Sequence, residues 1–305
     1  MRLVFIILML CASVTTTYSQ ACCCTGAGAN YSILPNLDKH IIGLHYTYRN
    51  YYSKMRSLNP DLNGAITDQH LNSVEIFGRF NLNRRFQFSA FLPVNVIRQS
   101  SRDDNQRAAG LGDISLLAQY SVLNPLRCNG KKTKHQLRLG FGTKLPSGEF
   151  KMDANDLFRT NLQLGTGSID FLFNAIYTFR YGNFGINTIA AYKLNTINNR
   201  GYRFGDKAQA GSSFFHLFTV QEVQLMPSVA FSYEHQFQNK EKGDVLNFTG
   251  GDFLTTSVGF DVYYKQFAFS SSVSPAVINH LNWSGENKNR FNVEVGVFYN
   301  FSTSK

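Results

Sequence analysis

The chain of 305 residues has only 5 cysteines and, beyond its N-terminus, no long apolar run. So few cysteines exclude a small disulfide-stabilised scaffold. The lack of long runs excludes a helical membrane protein, because a membrane-spanning helix needs ~20 apolar residues. Disorder is excluded because 43% of the residues are hydrophobic and 14% are aromatic. A large β-rich chain remains. A transmembrane β-barrel has this profile, because half of each strand faces lipid and half faces water.

The N-terminus predicts export from the cytoplasm. Met1 and Arg2 form a short basic start, Leu3–Val14 is mostly apolar, and small residues lead to Ser19. We therefore predict a signal peptide at residues 1–19, cleaved near Ser19. Lipidation of Cys22 is disfavoured, because no aliphatic residue stands three places before it. Residues 20–38 show no alternation, and we expect a short periplasmic arm or plug there.

Apolar and polar residues alternate in twelve segments between residues 39 and 301, which is typical of strands with one lipid-facing side. The first segment places Ile42, Leu44, Tyr46 and Tyr48 against Gly43, His45, Thr47 and Arg49. The alternation is weakest in Ala208–Val220. Each segment is close to the ~9–11 residues that cross a bilayer at a tilt. The sequence thus predicts an all-β fold, a transmembrane up-and-down antiparallel barrel of about twelve strands, with a tail at residues 302–305.

The links between these segments alternate in length, as in outer-membrane barrels. The short links are Asn81–Arg84, Tyr181–Asn183, Gln221–Gln224 and Lys265. The long links are Ser53–Gln69, Gln99–Gly110, Ser147–Gly167, Thr196–Lys207, Asn239–Gly250 and Asn279–Asn289. We expect the short links in the periplasm and the long ones outside the cell. Asn124–Lys134 is an exception, because it is long and falls on the periplasmic side.

The competing fold is a soluble, secreted β-sandwich, whose inner face is apolar in the same alternating way. Sandwich strands are shorter, usually ~5–6 residues, so the longer segments favour a barrel. The last segment ends in Val297–Phe301. A terminal aromatic strand of this kind resembles the signal that the barrel assembly machinery reads, and we expect that machinery as a partner during biogenesis.

Charged residues on the polar side of the segments are the candidate lumen-lining residues. They are His45, Arg49, Glu75, Arg79, Asp113, Arg138, Lys144, Asp170, Arg180, Lys193, Glu234, Asp261 and Glu294. They either line a polar path or form a neutralising network that fills a narrow barrel. Twelve strands lie between the eight that fill their own interior and the sixteen or more that leave an open channel, so both interpretations stay open.

Three adjacent cysteines, Cys22, Cys23 and Cys24, stand in the predicted arm. One interpretation is a disulfide to Cys128, because the compartment is oxidising. The other is a soft-metal site, because thiolates bind Cu(I) and Zn. No Cys-x-x-Cys pair or histidine cluster supports the metal, and we expect no cofactor.

Enzyme activity and nucleic-acid binding are not expected. An outer-membrane hydrolase would need a serine, a histidine and an orienting polar residue at the membrane rim. The best candidate is His216 with Ser212 or Ser213, but His216 has apolar neighbours and no His-x-Ser arrangement occurs. Basic residues are scattered or fall in turns, where anionic lipid headgroups are the expected neighbours rather than nucleic acid.

Three glycine-rich segments, Gly110–Ile114, Gly142–Gly148 and Gly165–Asp170, follow one another on the predicted strands. In that order they resemble the outer-membrane transporter-like barrels grouped with the phenol meta-pathway proteins, a family similar to fatty-acid-transporter-type barrels. The resemblance covers about Val74–Tyr192 and identifies no binding residue. A mature chain opening at Gln20 is similar to proteins of the Bacteroidetes.

The resemblance implies a bacterial outer-membrane barrel, in contact with lipid, that moves small and often apolar molecules. We therefore expect an outer-membrane channel or transporter with passive or facilitated passage. The alternative is a non-conducting structural or accessory barrel that works through a metal-holding or disulfide-tethered arm.

Overall fold

The computed structural model describes residues 39–55, 66–101, 105–123, 133–151, 163–247, 249–281 and 285–302, and these contain strands and no helix. The strands are β1 (His40–Met55), β2 (Ile66–Asn81), β3 (Phe86–Ser101), β4 (Asn105–Leu111), β5 (Ile114–Leu123), β6 (Thr133–Leu145), β7 (Asp170–Tyr181), β8 (Phe184–Leu194), β9 (Tyr202–Arg203), β10 (Lys207–His216), β11 (Phe218–Val220), β12 (Val223–Gln236), β13 (Lys240–Glu241), β14 (Asp244–Val245), β15 (Gly251–Tyr264), β16 (Phe267–Leu281) and β17 (Gly285–Phe301). None of the described residues forms a helix long and apolar enough to cross a membrane.

The strands close into a twelve-stranded antiparallel barrel. Each barrel strand pairs with the next along the chain, and β17 returns to pair with β1 from His40↔Phe301 onwards. Two of the twelve barrel strands are each broken into two shorter strands. The strands β4 and β5 both pair with β3, and β10 and β11 both pair with β12. The short strands β9, β13 and β14 form a separate small sheet. The predicted all-β barrel is confirmed.

Outward and inward faces follow the predicted alternation. Outward apolar side chains such as Ile42, Phe173 and Val295 are 44–47% exposed. Inward charged side chains are buried, for example Arg79 at 2% and Asp170 at 0%. The exposed wall is therefore apolar and suits lipid, while the polar side chains lie inside.

The two ends of the barrel differ, and we call them the short-turn end and the long-loop end. The short-turn end has links at residues 82–85, 182–183, 221–222 and 265–266, together with the strand ends at His40 and Phe301. Gly182, Gln221 and Lys265 take positive φ there, as two-residue hairpins require. The long-loop end carries the described residues 146–151, 163–169, 195–206, 237–247 and 249–250.

The prediction of long loops at Gln99–Gly110 and Asn279–Asn289 is wrong. Most of Gln99–Gly110 and Asn279–Asn289 belongs to strands, and only residues 102–104 and 282–284 lie between those strands. In the β3–β4 pair, the strands continue past the outward apolar residues Val94 and Val96, and the next outward pairs, Arg98↔Arg107 and Ser100↔Asn105, are polar. The alternation then disappears from the sequence, but the backbone hydrogen bonds between the strands continue.

The predicted signal peptide, arm and much of the tail lie outside the described residues, as do Cys22, Cys23, Cys24 and Cys128. The boundaries at residues 19, 38 and 302 and the disulfide remain predictions.

Candidate functional site

A cavity of about 130 Å³ lies inside the barrel, against the inner faces of β10, β12, β15 and β16. Its walls are mostly small side chains: Gly211, Ser213, Ser228, Ala230, Ser232, Ser257, Gly259, Ser270, Ser272 and Ser274. The strand registers place them side by side, with Ser228 opposite Gly259 and Gly259 opposite Ser272. Small residues on neighbouring strands leave part of the lumen unfilled. The space suits a few waters or one small molecule, since a water takes ~30 Å³ of liquid volume.

Three of the predicted lumen-lining residues, His45, Asp261 and Glu294, stand at the edge of this serine-lined cavity. His45 Nε2 lies 3.8 Å from a Glu294 carboxylate oxygen. Tyr263 donates its hydroxyl hydrogen bond to the Asp261 carboxylate at 3.3 Å. Two carboxylates and one imidazole therefore give the cavity polar anchors among its hydroxyl groups.

A buried ion-pair network connects four other predicted residues, Asp113, Lys144, Asp170 and Lys193. Lys144 contacts the carboxylates of both Asp113 and Asp170, and its Nζ lies 2.8 Å from Asp170 Oδ2. Lys193 approaches the same Asp170 oxygen at 3.7 Å. Backbone amides complete the arrangement, because Gly148 and Thr166 donate to Asp113 at 3.0 and 2.8 Å. This network is neutralising rather than an open polar path.

The network anchors a segment that enters the lumen from the long-loop end. Thr166 is fully buried, and its hydroxyl contacts both Lys144 and Asp113. Leu164 packs against Leu71, Ile97 and Ala108 on the inner faces of β2, β3 and β4. A Cβ at Gly165 would collide with Asp113, so glycine permits the close approach. Residues 163–169 therefore narrow the lumen at this end.

An apolar cluster fills the lumen towards the short-turn end. Its members are Ile41, Phe77, Phe91, Leu117, Phe215, Leu217, Met226, Tyr263, Ala268 and Phe298. Phe298 stands edge-on to Phe77 with ring centroids 6.1 Å apart, and a Cβ at Gly296 would lie 2.5 Å from its ring. Phe298 also lines the serine-lined cavity. The cluster therefore borders the cavity on its short-turn side.

The remaining predicted residues occupy the inner faces without joining one site. Arg49, Arg79 and Glu234 are buried, and Glu234 pairs with Lys207 at 2.9 Å. Glu75 is half-buried on β2. Arg180 is also half-buried and donates to the Gly182 carbonyl at 2.8 Å, in a short turn.

Arg138 differs from its neighbours because it is 2% exposed and has few partners. Its guanidinium donates to Gln87 Oε1 at 3.0 Å. Among the described residues, its Nε and Nη2 atoms have no hydrogen-bond partner.

The residues considered for a hydrolase site, His216 with Ser212 or Ser213, do not come together. His216 faces outwards between Phe184 and Phe218, with ring centroids 4.3 and 4.2 Å away. Ser213 lies on the inner, buried face. Ser212 shares the outer face but lies four residues from His216, which is ~13 Å along a strand. Its hydroxyl bonds to Thr188 at 3.0 Å.

No metal site is found within the described ranges, where no three His, Cys, Asp or Glu side chains are grouped to hold an ion.

The serines and the apolar cluster are the features that the prediction of site residues omitted. A signal for both is present, because Ser228, Ala230 and Ser232 alternate on one face, as do Ser270, Ser272 and Ser274. In the apolar cluster, Phe77, Phe91 and Phe298 occupy positions that the alternation assigns to the inside.

No protein-family model and no curated protein matches the chain. Among solved structures, the chain is similar to the COG4313 outer membrane channel from Pseudomonas putida F1. The TM-score is 0.65 at 13% identity, and the match covers 91% of this chain and 100% of that one. The fold is that of an outer-membrane β-barrel.

Two further structures match with lower scores. They are the beta domain of the Bordetella autotransporter BrkA (TM-score 0.48, 10% identity, 85% of this chain and 99% of that one) and a Pseudomonas aeruginosa FadL homologue (TM-score 0.46, 10% identity, 87% and 91%). The similarity to the channel supports an outer-membrane location for this barrel. The phenol meta-pathway grouping and the Bacteroidetes origin remain predictions.

Proposed function

We propose that this barrel is a passive outer-membrane channel for small molecules. The serine-lined cavity carries the proposal, because small hydroxyl-bearing side chains leave space in the lumen that larger ones would fill. Hydroxyl groups and the Asp261 and Glu294 carboxylates favour small solutes with hydrogen-bonding groups. The resemblance alone suggests apolar cargo.

The apolar cluster is the proposed gate of this channel. Hydrophobic constrictions close pores by excluding water, and they open when side chains move aside. Phe298 is the pivotal residue because it borders the cavity and also contacts Phe77 in the cluster. The long-loop end is proposed to face the cell exterior, with residues 163–169 narrowing the entrance.

Single-channel conductance in planar bilayers tests this function. We expect small conductance steps for the native protein, larger steps for Phe298→Ala and smaller ones for Ser232→Trp, which fills the cavity. Phe267→Ala is the matched control, because Phe267 is 46% exposed on the outer face near the same end. It should conduct like the native protein.

If neither the native barrel nor Phe298→Ala conducts, the channel proposal fails and the accessory barrel becomes the better account. In that case, non-reducing mass mapping of Cys22, Cys23, Cys24 and Cys128 would test the tethered arm.

A further inference from the structure

Two arginines face each other on the outer surface of the barrel near the long-loop end. Arg98 on β3 lies directly opposite Arg107 on β4, and both are exposed. Residues paired in this way have Cβ atoms ~4.5–5.5 Å apart, and like charges there repel. In the part of the chain that the structure describes, no ion pair or hydrogen bond neutralises either guanidinium.

The position of this arginine pair along the barrel wall shows where the outward apolar surface ends. On the same outward face, the preceding pairs are Val94↔Leu111 and Val96↔Ala109, and the following pair is Ser100↔Asn105. Val94 and Leu111 are 38% and 52% exposed, as lipid-facing residues are. The arginines lie about 13 Å further along the strand, at the ~3.3 Å rise per residue. They therefore stand where the apolar band ends and a headgroup layer begins.

His70 extends this surface on β2, directly opposite Arg98. Asn50 Nδ2 lies 3.1 Å from His70 Nδ1. The Tyr48 hydroxyl approaches the same nitrogen at 2.7 Å. These two contacts hold the His70 ring beside Arg98.

Among the described residues, the acid on the neighbouring strand β2, Asp68, already has a partner. Asp68 lies opposite Ser100 and forms an ion pair with Arg290, whose Nη1 atom is 3.4 Å from Asp68 Oδ1. The Arg290 guanidinium also lies over the Tyr52 ring, 4.9 Å from its centroid. No acidic side chain of the described ranges therefore pairs with the basic patch formed by His70, Arg98 and Arg107.

We propose that this basic patch binds the phosphate headgroup of an outer-leaflet glycolipid. A phosphate between two opposed guanidinium groups removes their repulsion and accepts hydrogen bonds from both, which is the geometry that arginine recognises best. The acyl chains of the same lipid would then run down the wall over Val94, Val96 and Leu111. The proposal requires the long-loop end to face outwards, and it does not depend on whether the lumen conducts.

The test compares Arg98→Gln/Arg107→Gln with Arg84→Gln/Arg85→Gln, a matched pair of exposed arginines at the short-turn end. Each full-length barrel is titrated with phosphorylated lipopolysaccharide, with dephosphorylated lipopolysaccharide and with inorganic phosphate, and binding is measured by native mass spectrometry. Native protein and the short-turn control should prefer the phosphorylated glycolipid. The Arg98/Arg107 variant should bind it about tenfold more weakly or worse, since hydrogen bonds to charged groups are lost.

Equal binding by the Arg98/Arg107 variant and the native protein would overturn the proposal, as would equal loss in the short-turn control. Inorganic phosphate that binds as tightly as the glycolipid would also overturn it, because the site would then be one for free anions. Arg98→Lys/Arg107→Lys keeps the charge and should retain part of the binding, and an unchanged far-ultraviolet spectrum shows that each variant is folded.

Discussion

At the residue scale, Lys144 is the side chain on which the interior depends most. It is 5% exposed and contacts the carboxylates of Asp113, in the link between β4 and β5, and of Asp170, at the start of β7. Burying two carboxylates without a cation is unfavourable, because the desolvation of each charge must be offset by its partner. Arg138 differs from Lys144, because among the described residues its hydrogen-bond partner is the neutral Gln87 amide and not a carboxylate.

We expect Lys144→Met to lower the free energy of unfolding by ~3–5 kcal/mol, because it removes the cation that the buried Asp113 and Asp170 carboxylates share. Urea unfolding in a lipid system where folding is reversible measures the effect. Lys265→Met is the control, because the Lys265–Glu222 pair at 3.5 Å is exposed and such pairs contribute little. Equal losses in the two variants would contradict the assigned role of the network.

At the scale of one element, β12 shows how a barrel strand has one face towards lipid and the other towards the lumen. Val229 is 45% exposed on the outer face, and its neighbour Ser228 lines the cavity. The two residues stand near the middle of Val223–Gln236, where the membrane is most apolar. One step along the chain therefore changes the environment from lipid to a polar lumen.

Val229→Arg should destabilise the barrel by ~2–4 kcal/mol, which is the cost of a cation at the bilayer midplane. Ser228→Arg should be better tolerated, because its side chain enters the cavity beside Asp261 and Glu294. The same urea titration compares them. If Ser228→Arg proves the more damaging of the two, the assignment of inside and outside for β12 is wrong.

At the scale of the whole molecule, the barrel is asymmetric from end to end and from side to side. Loops and buried ion pairs narrow the long-loop end, whereas apolar side chains fill the short-turn end. Small residues line β10, β12, β15 and β16, whereas larger polar residues such as Gln87 on β3 and Arg138 on β6 occupy the opposite wall. The open space of the lumen therefore lies on one side of the barrel.

Cysteines introduced at Lys242 and Asn183 test the orientation of the barrel, in a background without native cysteines. Both sites are exposed, Lys242 in a loop at the long-loop end and Asn183 in a short turn. Only Lys242→Cys should react with a membrane-impermeant thiol reagent on intact cells, whereas both should react after lysis. Labelling of Asn183→Cys alone on intact cells would show the opposite orientation.

The alternation in the sequence was sufficient to predict the barrel, its twelve strands and the outward or inward side of residues such as Phe173 and Asp170. The reason is physical: a strand between lipid and a polar interior must alternate, so Phe173 faces outwards and Asp170 inwards. The weak segment Ala208–Val220 was also placed correctly, as β10 and β11. The loops next to Ser101 and Leu281 were misjudged, because strands beyond the membrane no longer need an apolar face.

Which inward residues meet could be known only from the tertiary structure. Alternation assigns a residue to the lumen but does not say what stands across from it, which depends on strand register and on loops that fold back. Lys144 meets Asp113 and Asp170 through the pairing of β5, β6 and β7 and the inward segment at Thr166. The cavity likewise exists because four strands place small residues side by side, while the apolar cluster packs where inward aromatic rings converge.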